Sequence, residues 1–143
     1  MKKFAFPLHR VMEWRRTEAR IEEAKLERHF AELHAIDARE KMLEEERAKS
    51  EKELLQQASA TGRELAALDD FKRYIAIERQ RLRRVRNDCK KKIEAQIQVV
   101  TLKRRDVRLL EKLKEDRIKV WTADLHREID QQAEESYLAK WGR

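Results

Sequence analysis

The chain has 143 residues, 44% of them charged and 6% aromatic, with two Gly, one Pro and one Cys. Two glycines cannot supply the turns of a sandwich, a barrel or a doubly wound sheet, whereas an Ala/Leu/Glu/Lys/Arg bias at helical period belongs to long helices and coiled coils. One Cys excludes a disulfide within the chain and fits a reducing, cytoplasmic compartment; no apolar run reaches the roughly 18 residues of a membrane span.

The net charge of +7 is unevenly spread. Residues 1–60 balance 13 basic against 13 acidic side chains, residues 61–121 carry 19 against 10, and residues 122–143 carry 3 against 5. Any electrostatic partner therefore meets the second half of the chain.

The opening Phe4-Ala5-Phe6-Pro7 superficially resembles a signal peptide, but His9-Arg10 and Arg15-Arg16 cut its apolar part short. Pro7 is tolerated at a helix start, and nothing then breaks a helix predicted over about 7–58. Met12, Ala19, Leu26 and Leu33 recur every seven residues, with Leu8, Phe30, Ile36 and Leu43 near the same stripe. Ser59-Ala60-Thr61-Gly62 is the one interruption, so a turn is expected at about 59–62. Gly62 there would take positive φ to end the first helix, and Ser or Thr would cap the next.

A second helix is predicted over about 63–140. Leu68, Ile75, Leu82 and Cys89 lie seven apart, with Phe71 and Val85 completing an a/d seam. Val85, Cys89, Ile93 and Ile97 follow in steps of four, which relax a left-handed supercoil. Val100, Val107, Ile118, Trp121 and Leu125 carry the stripe onward.

Neither helix can bury its stripe alone, and a short turn favours antiparallel packing. The predicted fold is all-α: a single hairpin, a long two-helix coiled coil in which position i faces roughly 122 − i. The first arm is used up near Trp121, which leaves a projecting helical tail of about 20 residues, or about 30 Å at the rise of a helix. Phe4, Phe6, Trp14 and Trp121 are expected to gather at the open end, with Tyr137 and Trp141 on the overhang.

The sequence holds no Gly-rich phosphate loop, nucleophile elbow or His-Glu-x-x-His pair, and a hairpin lacks a water-excluding pocket, so no enzymatic activity, metal or cofactor is expected. His29 and His34 are five apart and do not share a helix face; Cys89 at a seam position acts as a small hydrophobe. The densest charge run, from Arg79 through Arg81, Arg83, Arg84 and Arg86 to Lys90-Lys91-Lys92, is read as a solvated or partner-facing helix surface. It contains no aromatic for base stacking, so no specific nucleic-acid binding is expected.

The pattern Phe4-x-Phe6-x-Leu8-x-x-Val11-Met12-x-x-Arg15 resembles the opening of the FliJ/YscO family of flagellar and virulence type III export. The run Leu110-Glu111-Lys112-Leu113-Lys114-Glu115, then Trp121, Glu128, Asp130 and Glu134-Glu135, is similar to that family's C-terminal pattern. Length, turn position and unequal arms also fit, so the resemblance spans essentially the whole chain.

The resemblance implies a soluble cytoplasmic stalk, monomeric in isolation, that inserts into the hexameric ring of a FliI-like export ATPase and promotes its assembly and activity. It further implies links to the cytoplasmic domain of a FlhA-like export gate and to export chaperones, so that the protein meets the inner membrane only through partners. Phe4, Phe6, Trp14, Trp121, Leu125, Tyr137 and Trp141 are the expected ATPase-binding residues. In the family the gate contact is an aromatic followed four residues later by Leu. Here Tyr74 is followed by Glu78, with Phe71, Ile75, Ile77 and Arg81 as its neighbours. A virulence-type stalk, a generic coiled-coil scaffold or homodimer, and a basic nucleic-acid-associated rod are the alternatives.

Overall fold

The computed structural model describes residues 2–142. Two helices, α1 (His9–Leu55) and α2 (Gly62–Trp141), pack against each other as an all-α helical hairpin, and no strand occurs among the described residues. Absence of Gly and Pro from both helix interiors explains their length, because nothing within them forfeits a backbone hydrogen bond.

The connection differs from expectation. α1 stops at Leu55, short of Ala58, and its last turn frays through Gln56 and Gln57, whose N–H groups donate to the Lys52 and Leu54 carbonyls at 3.0 and 3.3 Å. Gly62 is the first residue of α2 and, like every other described residue, has no positive φ. It lies too far beyond Leu55 to end α1. Capping of α2 falls instead to Thr61, whose hydroxyl accepts the Glu64 N–H at 3.2 Å.

The chain forms two compact units: Glu22–Val99, and Met1–Ile21 with Val100–Arg143. The former is called the turn unit and the latter the terminal unit.

In the turn unit, Leu43, Ile75 and Leu82 are fully or almost fully buried, with Ile36 and Phe71 packed against them, and Cys89 and Ile93 extend the buried row. Along α1 the covered residues step 26, 29, 33, 36, 40, 43, 47, 50, 54, an unbroken alternation of threes and fours that defines heptad positions a and d. Along α2 the row runs 68, 71, 75, 78, 82, 86, 89, 93, 96. Two consecutive steps of four, across Leu82, displace the stripe by part of a turn. Arg86 and Gln96 therefore occupy the seam expected for Val85 and Ile97, which are exposed, as is Phe30 on α1. The Gln96 amide donates to the Glu22 carbonyl at 2.9 Å and to its carboxylate at 2.6 Å, so this polar layer is satisfied. The Cys89 thiol donates to the His29 carbonyl at 3.4 Å.

One side of the turn unit carries a charge ladder. Lys72, Arg79 and Arg86 on α2, each seven residues apart, meet Glu51, Glu44 and Asp37 on α1 at 3.1, 2.9 and 2.8 Å. Arg79 also approaches Glu40 at 3.7 Å. The Lys72 and Arg79 rungs lie beside the seam at position e of both helices, as antiparallel pairing requires. The third sets Arg86, which stands in the shifted seam row itself, against Asp37 at e, and all three place residue i close to 122 − i.

In the terminal unit, Phe6, Met12, Ala19 and Val100 are buried. The covered rows are 12, 15, 19 on α1 and 100, 103, 107, 110, 114, then 121, 125, 128 on α2. Arg16 and Glu111 pair at 3.1 Å on the e side, and Lys103 and Glu18 at 3.5 Å on the opposite, g side. The Arg16 guanidinium is held above its usual range first by the hydrogen bond to Glu111 and then by Glu13, partly offset by desolvation.

Candidate partner-binding surfaces

The residues before α1 fold back on α2. The Trp121 indole N–H donates to the Lys2 carbonyl at 3.3 Å, and Phe4 meets the Trp121 ring edge-to-face with centroids 6.1 Å apart. Such a pair adds roughly 0.5–1.5 kcal/mol beyond the area it buries. Lys2, Lys3, Arg117, Val120 and Asp124 surround it as an open groove. Phe4 and Trp121 are thus joined as expected, with Leu125 half-buried one turn on.

Two members of the expected aromatic end behave differently. Phe6 is buried in the core of this unit and offers no surface to a partner. Trp14 is 58% exposed and apart from the cluster; it falls between the seam residues Met12 and Arg15, and the Arg15 guanidinium lies 5.1 Å from its ring centroid.

Beyond Glu128 every described residue of α2 is exposed. Tyr137 and Trp141, four apart on one helix face, contact each other with centroids 5.9 Å apart, and Leu138 beside them is also exposed. This apolar trio, with Ile129 exposed further back on the tail, is surface that a partner could cover.

The second expected site, in the turn unit, is split by the fold. Ile75 is 1% exposed and belongs to the core, because its seven-residue spacing from Leu68 and Leu82 puts it in the seam; it presents nothing to a partner. Phe71 is half-buried against the same core. Tyr74 and Ile77 are well exposed, as is Met42 on α1. Glu78 is half-buried in the seam and bound by the Arg81 guanidinium through two hydrogen bonds. That hydrogen bonding, with Coulombic help from Arg81 and Arg39, holds the Glu78 carboxyl below its usual range and Arg81 above its own, against desolvation. A shallow groove beside the connection is lined by Leu54, Gln57, Glu64, Ala67, Leu68 and Phe71.

The basic run is partly spent on the fold. Arg79 and Arg86 serve the ladder and Arg81 serves Glu78, which leaves Arg83, Arg84, Lys90, Lys91 and Lys92 exposed. Sequence spacing could have shown this, since acids at 37, 44 and 51 mirror bases at 72, 79 and 86. His29 is half-buried, with Nδ1 3.7 Å from a Glu32 carboxylate oxygen. Among the described residues no group of three or more His, Cys, Asp or Glu could hold a metal ion, and no helix is long and apolar enough to cross a membrane. Compared with known proteins, the chain matches no family model, no curated protein and no solved structure.

Proposed function

We propose that this chain is a stalk-like coiled-coil component of a type III protein export apparatus, flagellar or virulence-type, acting at the cytoplasmic face of the inner membrane. In this reading it enters the axial hole of the export ATPase hexamer, promotes the hexamer and its hydrolysis, and connects it to the export gate and export chaperones. The observation that carries the reading is the terminal unit: the segment before α1 held on α2 by Phe4, Trp121 and the Lys2 carbonyl, with α2 continuing into an exposed, acid-bearing tail with Tyr137 and Trp141.

A pair of helices is narrow enough for an axial hole. A stalk on the axis cannot match every ring subunit at once, so it makes modest, uneven contacts, which a mixed-charge surface with a few aromatics suits. The ATPase contact is assigned to Phe4, Trp121, Leu125, Tyr137 and Trp141, and the gate or chaperone contact to Tyr74 and Ile77 with Glu78 and Arg81. Phe6 and Ile75 act from inside, as packing.

The test is the hydrolysis rate of the cognate export ATPase with and without this protein, near one chain per six subunits. Stimulation saturating near that ratio is expected. A chain ending at Trp121 is expected to stay helical and lose the stimulation; full stimulation by that truncation would remove the tail from the contact. No stimulation by the full chain would overturn the stalk.

A further inference from the structure

The terminal unit has a second apolar face that its own fold does not use. On α1, Val11, Trp14 and Ile21 are exposed; on α2, Leu102, Leu109 and Leu113. Relative to the seam rows of this unit, all six fall at heptad positions c and g. In an antiparallel pair, e residues meet along one side and g residues along the other. Arg16–Glu111 marks the e side and Glu18–Lys103 the g side. The six apolar residues therefore share the g side, and the register sets them level: Val11 with Leu113, Trp14 with Leu109, Ile21 with Leu102.

With Val120, also exposed, the α2 stripe runs five turns, about 27 Å at the helical rise per residue. Side chains left about half exposed present on the order of 600 Å² together, at the upper end of what a monomer carries and near one partner's share of a standard interface. The rim carries cations in excess. Arg10, Arg105, Lys112 and Arg117 are exposed along it, with Lys2 and Lys3 at the end groove, against Asp106, Asp116 and Asp124; Glu18, also on this side, is paired with Arg15 and Lys103.

We propose that this face docks an amphipathic helix of a partner protein, apolar on one side and acidic on its flanks, which completes a three-helix bundle on the terminal unit. Leu102, Leu109, Leu113, Val11, Trp14 and Ile21 take the apolar side of that helix, and the rim cations meet its carboxylates. Desolvation of the six supplies the affinity, and the rim sets the sign of charge accepted. This proposal is independent of the export reading, because it requires only a helix of that chemistry.

The probe is a synthetic helical peptide about three heptads long, with Leu at a and d and Glu at e and g, fluorescently labelled and titrated with the full-length chain. A counterpart with Lys at e and g is titrated in parallel. Saturable micromolar binding of the Glu peptide is expected, weakening as salt rises, with the Lys peptide at least about tenfold weaker. Leu109→Glu and Ile21→Glu are each expected to reduce binding of the Glu peptide by about tenfold or more without loss of helicity, since both side chains are exposed. Met42→Glu in the turn unit is expected to leave it unchanged. Equal or tighter binding of the Lys peptide, undiminished binding to Leu109→Glu, or no binding of either peptide would overturn the proposal. So would a concentration-dependent dimer abolished by Leu109→Glu, because the occupant would then be a second copy of this chain.

Discussion

The two units use the same seam chemistry and spend their remaining residues differently. In the turn unit, positions flanking the seam carry opposite charges at matched heptad spacing, and Lys72, Arg79 and Arg86 are consumed by Glu51, Glu44 and Asp37. In the terminal unit, six apolar side chains at positions c and g stay exposed, and α2 continues into an exposed tail. A hairpin needs only its a and d positions and a few register-fixing pairs. What stands elsewhere is free to serve something else: Met42, Tyr74 and Ile77 in the turn unit, the apolar c and g residues and the tail in the terminal unit.

The sharpest way to break this comparison is to make the same substitution in both units. Leu43→Ala removes a side chain with no exposed surface and is expected to cost about 3 kcal/mol, whereas Leu109→Ala, 62% exposed, is expected to cost less than about 0.5 kcal/mol. Urea midpoints followed by far-UV circular dichroism measure both; equal losses would mean that Leu109 is structural.

The ladder gives the next effect. Arg79→Glu faces Glu40 and Glu44 with a third acid and is expected to lower stability by about 1 kcal/mol at low salt, given the worth of part-exposed pairs. Adding Glu44→Arg is expected to restore most of it. If the double variant is no better than the single one, the rungs do not set the register.

Gly62 sharpens the comparison at the connection. With no positive φ, and with nothing within 4 Å of where a Cβ would stand, Gly62→Ala is expected to stabilise the chain by about 0.5 kcal/mol. Thr61→Ala is expected to destabilise it by about 1 kcal/mol through loss of the cap. A destabilising Gly62→Ala would restore the positive-φ role that the sequence suggests.

The smallest effect is acid dependence at Glu78. Its carboxyl is held below its usual range by Arg81, so the pair contributes above the ordinary carboxylate range, and the contribution is lost as pH falls through the depressed folded value. Glu78→Gln is expected to remove that part of the acid-side slope, so that the small difference from the parent chain is present at neutral pH and vanishes in acid. An unaltered acid limb in a pH series of unfolding midpoints would contradict it.

Much of the fold is legible in residue types. The heptad spacing of Met12 and Ala19 on α1, and of Leu68, Ile75, Leu82 and Cys89 on α2, announces the seam. A period of seven is visible in sequence because burial on one helix face demands it. The meeting of Phe4 with Trp121 follows from counting outward from the turn. The candidate site was less legible, because exposure of Tyr74, Ile77 and Trp14 depends on where each falls relative to the seam rather than on its type.

What the sequence by itself determined is therefore the all-α hairpin, its antiparallel sense, its register near 122 − i and the unpaired tail. Helix-favouring composition, two glycines and one interruption permit little else. Only the tertiary structure decided which residue near each stripe turns inward. Arg86 and Gln96 replace Val85 and Ile97 because two successive steps of four rotate the stripe, and apolarity alone does not report that rotation. Tertiary structure also buried Phe6 and Ile75, left Trp14 outside the aromatic end and gathered six apolar side chains from both helices onto one side. That gathering depends on the pairing of α1 with α2, since neither helix carries the face alone.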